Sequence, residues 1–283
     1  MELSGRVVVV TGGGSGIGEA FAHAAVAEGA RHVVVADLNG ADASRVAAAV
    51  GGTAFTLDVR DEAAIVAMVE SVESAHGPID VFMSNAGFVT TGGLEDSNER
   101  IQSMWEVHVM AHIYAARAVL PSMIARGEGY LLNTASAAGL LTQIGSLAYS
   151  ITKHGAVSLA EWLSITHHHQ GIRVSVLCPQ AVATNIVANS PDRQNRVAGD
   201  ELDLEGGVAA GDGVKTSAEV AQACIDTIRA ERFHVLPHPE VATYTERKAT
   251  DVDRWLSGMR RFQSILADGG PLPGDAMAPK LTN

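Results

Sequence analysis

The segment Arg6-Val7-Val8-Val9-Val10-Thr11-Gly12-Gly13-Gly14-Ser15-Gly16-Ile17-Gly18 decides how this chain folds. Its first half is a β-branched run, the pattern of a strand buried on both faces. Five glycines follow within seven residues. Glu19 to Glu28 is alanine-rich and predicts a helix, ended by Gly29-Ala30. His32 to Val35 predicts a second strand, and Asp37 closes it. Strand, glycine turn and helix in this order form the context of a dinucleotide fingerprint. Glycines let the backbone turn tightly and approach a pyrophosphate. The helix N-terminus then offers unpaired N–H groups and a positive dipole end to the phosphates. Gly12, Ser15, Gly16, Ile17 and Gly18 are the candidate contacts.

Asp37 lies nineteen residues after Gly18, where such a fold places its ribose-binding carboxylate. A carboxylate accepts hydrogen bonds from an adenosine 2′-hydroxyl and repels a 2′-phosphate. The next residues, Leu38 and Asn39, are not basic, and no arginine is placed nearby to neutralise a phosphate. The expectation is NAD rather than NADP.

Further along the chain, Ala41–Val50 predicts a helix, Thr53–Leu57 a strand, Glu62–His76 a helix and Ile79–Met83 a strand. Asp58-Val59 ends the third strand at the edge where strand ends line a ligand crevice. Asp58 either caps an adenine amino group or serves as N-cap of the next helix. Ser84-Asn85-Ala86-Gly87 ends the fourth strand and brings bare backbone to the crevice wall. Asn98–Arg126 reads as one long helix with a late kink at Pro121. Tyr130–Ala135 is a strand, Leu147–His169 a helix and Ile172–Leu177 a strand. Cys178–Thr184 leaves that strand as an irregular turn, with Cys178 read as a small buried residue. Asn185–Val214 is aperiodic and rich in Asp, Glu, Gly and Asn, the pattern of a substrate lid. Ser217–Glu231 is a helix and Phe233–Leu236 a short strand. Val241–Leu266 reads as one amphipathic helix, with Tyr244, Trp255, Leu256, Met259, Phe262 and Leu266 as candidate buried positions. Alternating strands and helices call for a parallel sheet covered on both faces. The expected organisation is a single domain over residues 1–266, with the lid at 185–214 and the C-terminal helix at 240–266. A loose tail over 267–283 follows.

Tyr149 and Lys153 stand at i and i+4, one turn apart on a helix face. Tyrosine titrates near ~10, and a lysine cation one turn away favours the phenolate and lowers that pKa. Tyr149 then becomes usable as a general acid or base. Ser136 ends the preceding strand and delivers a hydroxyl beside it. His108 and His112 also share a helix face, but no H-E-x-x-H pattern accompanies them. The three imidazoles of His167–His169 point about 100° apart. No metal site is expected.

With its 283 residues, 47% of them hydrophobic, and a net charge of -12, the chain has the makings of a sizeable core. The charge argues against non-specific binding to nucleic acid or anionic membrane. Two cysteines without a C-x-x-C pattern fit a reducing compartment, and Val7–Val10 is too short for a leader or membrane span. A cytoplasmic location is the expectation.

Taken together, the chain resembles a classical short-chain dehydrogenase/reductase. The resemblance rests on Thr11-Gly12-x-x-x-Gly16-x-Gly18, Asn85-Ala86-Gly87, Ser136 with Tyr149-x-x-x-Lys153, and the proline turn from Pro179 to Thr184. It covers about residues 3 to 237. It implies a Rossmann-type fold and hydride transfer with a nicotinamide cofactor. It also implies Tyr149 as acid/base, Ser136 as the group orienting the substrate oxygen, and Lys153 on the nicotinamide ribose. Val182 and Thr184 are implied near the carboxamide, and a homodimer or homotetramer through the two long helices. Two positions depart from the family pattern. His108 stands where the family has an asparagine that holds a relay water, and an imidazole there is expected to add a pH dependence near neutrality. Gln180 follows Pro179 where glycine is usual, and its side chain is expected to narrow the nicotinamide end.

The expected function is NAD-dependent transfer of hydride between a secondary alcohol or ketone and the nicotinamide. Phe88, Leu140, Leu141, Ile144 and Leu147 flank the pocket and favour an apolar or aromatic substrate. The alternatives are a physiological ketone reductase using the same site, and a non-catalytic dinucleotide-binding sensor or scaffold.

Overall fold

The structure is a computed structural model, and it describes residues 1–184, 186, 190 and 211–270. Nine strands and ten α-helices are found among them. In chain order they are β1 (Val7–Thr11), α1 (Gly16–Ala27), β2 (His32–Asp37), α2 (Gly40–Val50), β3 (Thr53–Thr56), α3 (Glu62–His76) and β4 (Val81–Ser84). Then come α4 (Asn98–Trp105), a π-turn (Glu106–Met110), α5 (Ala111–Arg126), β5 (Gly129–Thr134), α6 (Ala138–Leu141), α7 (Leu147–His167) and a 3₁₀ turn (His168–Gln170). The remainder is β6 (Ile172–Leu177), β7 (Val182–Ala183), β8 (Lys215–Thr216), α8 (Ser217–Ala230), β9 (His234–Val235), α9 (Glu240–Thr250) and α10 (Val252–Ala267).

Seven strands form one sheet in the order β3-β2-β1-β4-β5-β6-β9, and every pair in it is parallel. The period-2 geometry of a strand sorts its side chains between two layers. Val8, Val10, Val33, Val35, Tyr130 and Leu132 face the layer built with α1, α2 and α8. Val7, Val9, Val34, Phe82, Leu131 and Val176 face the layer built with α3, α5 and α7. Order reverses at β1, with β2 on one side and β4 on the other, and the ligand crevice of an open α/β sheet lies at such a switch.

Several expectations are corrected. Asn98–Arg126 is long and apolar enough to cross a membrane by composition, but its inner face lies in the core through Met104, His108, His112, Val119 and Met123. It is not uniform: the π-turn interrupts it, and α5 runs through Pro121 to Arg126 without ending. Asp58 is not the N-cap of α3; Asp61 is, accepting from the Ala64 N–H at 3.1 Å. The C-terminal helix is two helices, because Asp251 leaves helical backbone and caps α10 by accepting from the Arg254 N–H at 3.0 Å. Its expected buried positions are not buried in this chain: Leu256, Phe262 and Leu266 are exposed, and Tyr244, Trp255 and Met259 are half-buried. The expected lid over 185–214 and tail over 267–283 fall mostly outside the described residues.

The sheet end opposite the crevice is held by Asp80, which is 7% exposed. Its carboxylate accepts from the Val7 N–H at 2.9 Å and from Arg6 and Arg126, each at 3.3 Å. Asp80→Ala leaves that N–H and two guanidinium groups without their shared acceptor. We expect it to lower the unfolding free energy by about 2–3 kcal/mol. Glu128→Ala, which removes the exposed partner of Arg6, costs under about 1 kcal/mol. Urea denaturation at fixed protein concentration measures both.

Candidate active site

The glycine loop closes over the tip of β4. A Cβ at Gly12, whose φ is +63°, would stand 2.8 Å from the Ala86 Cα, and one at Gly18 would stand 2.2 Å from the Gly12 carbonyl oxygen. Neither space admits a side chain. Asn85 binds the parts together. Its side-chain amide donates to the Thr11 and Gly12 carbonyls at 3.2 Å each, and its own N–H donates to Thr11 Oγ1 at 3.0 Å. Asn85, read from sequence as backbone at the crevice wall on the cofactor side, has its side chain committed to the scaffold. Ala86 and Gly87 follow it along the wall. Ser15 at the N-cap of α1 makes no side-chain cap, whereas α2, α3, α4 and α8 are capped by Asn39, Asp61, Ser97 and Thr216. A narrow backbone cradle ending at uncapped N–H groups fits a pyrophosphate. Thr184 joins this end of the cradle: a Cβ at Gly16 would lie 3.2 Å from its methyl group.

Asp37 ends β2 with its carboxylate turned into the loop, accepting from the Gly14 N–H and the Asn39 N–H at 2.9 Å each. Leu38 beside it is 69% exposed. Contrary to the sequence reading, an arginine does come close: Arg45 of α2 donates to the Gly14 carbonyl at 2.7 Å. Its guanidinium is already taken by Glu19, at 2.6 and 3.2 Å, and by Asp42 at 3.5 Å. Asp58 is held by Arg60, at 2.6 Å from its terminal nitrogen, and this ion pair keeps its carboxyl below the usual range. Val59 is buried in the core.

Ser136 and Tyr149 come together. The Ser136 hydroxyl lies beside the phenol, donating to the Pro179 carbonyl at 3.4 Å and accepting from the Ala138 N–H at 3.1 Å. Lys153 lies one turn along α7 with its Nζ 5.6 Å from the centre of the Tyr149 ring, donating to the Thr134 carbonyl at 3.1 Å. Both side chains are buried. Burial pulls Lys153 down to about 7. Tyr149 is raised by burial, and the nearby Ser136 hydroxyl only partly opposes this. The expected lowering by Lys153 does not govern the resting protein, because desolvation of the phenolate outweighs an ammonium 5.6 Å from the ring centre.

His108 sits in the π-turn, packed on α7 and fully buried. Its Nε2 accepts from the Phe88 N–H at 3.3 Å, and its Nδ1 meets Thr152 Oγ1 at 3.0 Å. Accepting at Nε2 puts the proton on Nδ1, so Nδ1 donates to Thr152, which donates to the Tyr149 carbonyl at 3.2 Å. Protonating Nε2 would set two donors face to face. Burial, with Lys153 nearby, holds His108 well below the ordinary imidazole value. The expected titration of His108 near neutrality is therefore corrected: it is a neutral strut. His112 is also buried, neither ring nitrogen has a partner among the described residues, and burial lowers it to about 3.

Pro179 begins the turn after β6 and accepts from the Ala137 N–H at 2.9 Å. Val182 pairs with Lys215 in the small β7–β8 sheet. Gln180 does not reach into the crevice: its amide donates to Asp212 at 2.9 Å, and Tyr244 donates to the other oxygen of that carboxylate at 3.0 Å. Cys178 is raised to about 12 by burial and is unreactive. Sequence reading missed Thr152, Arg45, Asp212 and Lys248. Each meets its partner from a different element, so no local spacing announces it.

Both buried rings have a sign in the pH dependence of stability. The unfolded rings take up protons below about 6.5, and the folded ones do not. Stability is present above that pH and falls as pH drops, by up to about 1.4 kcal/mol per pH unit for each ring. For His112 this continues towards its folded value of about 3. Urea midpoints between pH 7.5 and 5.5 should fall less steeply in His112→Gln. An unchanged slope would show that His112 is protonated in the folded protein.

A family model described as short chain dehydrogenase matches residues 6–195. The 1-deoxy-11-beta-hydroxypentalenate dehydrogenase of Streptomyces exfoliatus is 32% identical over 266 residues, 91% of this chain and 92% of that one. The 2,5-dichloro-2,5-cyclohexadiene-1,4-diol dehydrogenase of Sphingobium indicum is 36% identical over 197 residues, 68% of this chain and 78% of that one. A short chain dehydrogenase/reductase from Burkholderia phymatum, solved in complex with NAD, superposes with a TM-score of 0.78 at 28% identity, covering 89% of this chain and 96% of that one. The matched residues include the glycine loop, Ser136, Tyr149 and Lys153, and the chain belongs to the short chain dehydrogenase family.

Proposed function

We propose that this protein is an NAD-dependent dehydrogenase that oxidises a secondary alcohol, with Tyr149 as acid/base. The observation that carries the reading is the burial of Ser136, Tyr149 and Lys153 in one site, with the Lys153 Nζ 5.6 Å from the centre of the Tyr149 ring. When bound, NAD supplies the hydride acceptor at nicotinamide C4 and a positive ring charge near the phenol. Gly12, Gly16, Gly18 and the first turn of α1 hold its pyrophosphate, Asp37 its adenosine ribose, and Asp58, Val59 and Leu38 the adenine side. Ala86, Gly87, Pro179, Val182 and Thr184 line the way to the reacting end. In oxidation, Tyr149 takes the hydroxyl proton. Ser136 hydrogen-bonds the substrate oxygen as it becomes a carbonyl. Lys153 holds positive charge behind the phenol, a preorganised contribution. His108 acts through Thr152 as a positioning residue.

Phe88, Leu140, Leu141, Ile144 and Leu147 are half-buried and suit an apolar substrate body. The relatives named for a hydroxypentalenate and a cyclohexadiene diol support a cyclic secondary alcohol. Ile151, Trp162 and Ile165 are exposed on α7 at 49%, 57% and 81%, and we assign this face to a homo-oligomer. Two free buried cysteines suit a cytoplasmic location. The ketone-reducing direction is served by the same residues, because the resting phenol carries its proton. A non-catalytic sensor has no support in the site, which keeps the serine, tyrosine and lysine together.

Absorbance of NADH formation across a secondary-alcohol panel tests the reading. Tyr149→Phe is expected to lower kcat by about 10³-fold while fluorescence still reports NADH binding. Unchanged turnover would remove Tyr149 from the chemistry. Because Tyr149 is raised, its protonated form dominates near neutrality. We therefore expect kcat/KM for oxidation to climb towards tenfold per pH unit between pH 7 and 9, with ketone reduction flat over that range. Asp37→Ala removes the charge facing a 2′-phosphate and should narrow the preference for NAD over NADP by at least about tenfold. An unaltered preference would move that role to another residue.

A further inference from the structure

Lys248 reaches from α9 across to α6 and donates a 2.6 Å hydrogen bond to the Leu140 carbonyl oxygen. Helix α6 is fixed to the reacting groups. The Ala138 N–H donates to Ser136 Oγ at 3.1 Å. Gly139 lies so close to α7 that a Cβ there would stand 2.5 Å from the Lys153 carbonyl oxygen. Leu140 follows Ser136 by four residues, about one helical turn, so the Lys248 ammonium stands on the order of 10 Å from the Ser136 hydroxyl. Leu140 is also one of the half-buried residues assigned above to the pocket flank.

The environment of this ammonium is unusual for a chain of net charge -12. It is half-buried, burial lowers its pKa, and among the described residues its hydrogen-bond partner is the Leu140 carbonyl rather than a carboxylate. Lys215, by contrast, is paired with Glu219 at 3.4 Å. A lysine has three donors, and the Leu140 carbonyl takes one. A partly desolvated cation is costly unless an anion meets it. The α6 residues at this junction, Leu140 and Leu141, are apolar, so the anion it fits is a carboxylate at one end of a largely hydrocarbon molecule.

We propose that Lys248 is a specificity residue that binds a carboxylate on the substrate, so that the substrates are hydroxy acids with the acid group several bonds from the carbinol carbon. This rests on the dehydrogenase reading above. The bulk of the substrate lies along α6, its carbinol at Tyr149 and its carboxylate at the α6–α9 junction.

The test uses three matched pairs, one aliphatic, one alicyclic and one aromatic, each a secondary-alcohol acid and its methyl ester; 4-(1-hydroxyethyl)benzoate is the aromatic acid. Kinetics with NAD are paired with calorimetric binding of the corresponding keto acids and keto esters to the NADH-loaded protein. At least one acid is expected to exceed its ester by tenfold or more in kcat/KM and in affinity. Lys248→Met should raise the acid's KM by tenfold or more and bring the acid-to-ester ratio towards one, and Lys248→Arg should restore part of it. Equal treatment of acid and ester in all three pairs by the wild-type protein overturns the proposal. So does a Lys248→Met variant that weakens acid and ester together, since a clamp holding α6 to α9 does that. Acid-selective binding without turnover of any alcohol would keep Lys248 and sink the dehydrogenase reading instead.

Discussion

Strands β1 and β4 end side by side, and their tips approach so closely that backbone meets backbone at Gly12 and Ala86. Gly12 has no room for a Cβ against Ala86, and Asn85 fills the junction with hydrogen bonds to Thr11 and Gly12 on one side. On the other side Asn85 Oδ1 accepts from Thr134 Oγ1 at 3.2 Å, and the Thr134 carbonyl accepts from Lys153. One amide thus ties the phosphate cradle to the lysine of the reacting end, across three neighbouring strands. A half-buried amide that uses both of its ends in this way favours a single arrangement.

Burial is the second organising influence, and it acts on charge. Tyr149, Lys153, His108 and His112 are packed between α7, the π-turn and the sheet with little access to water. Desolvation favours the neutral form of each. The phenol rises, the ammonium falls to about 7, and both imidazoles stay uncharged. The charge left in the resting pocket wall is that of Lys153, which at about 7 keeps part of its protonated form near neutrality. Charge is developed there when a cofactor and a substrate bring it, and low-dielectric surroundings then make each interaction count for more. His108 has a different part: with Nδ1 bound to Thr152 and Nε2 to the Phe88 N–H, it braces α7 against the loop that follows β4. The π-turn that presents it is of the kind that recurs at functional sites.

Much of the fold was legible because its signals are local. A valine run, a glycine turn and an alanine-rich helix in succession force a strand, a tight reversal and a helix wherever they occur. The alternation that follows leaves a parallel sheet as the way to pair the strands. Tyr149 and Lys153 were legible for the same reason, since four residues on a helix fix their common face. Errors came where a residue's partner lies elsewhere in the chain. Asp58, open between an adenine contact and an N-cap, leaves the cap to Asp61 and is held by Arg60. Arg45 looked distant from the glycine loop but touches it, already neutralised by Glu19. Gln180 looked like an obstruction but is drawn aside by Asp212.

By itself, then, the sequence determined the order of strands and helices, the glycine cradle and the pair on α7, because each depends on backbone preferences over a few residues. Only the tertiary structure decided the charge states, the tautomer of His108 and the reach of Lys248 to α6. Those depend on how much water is excluded around a group and which distant carbonyl or hydroxyl it meets. His108 and Thr152 are 44 residues apart and Lys248 and Leu140 are 108 apart, separations over which local pattern carries no information and packing carries all of it.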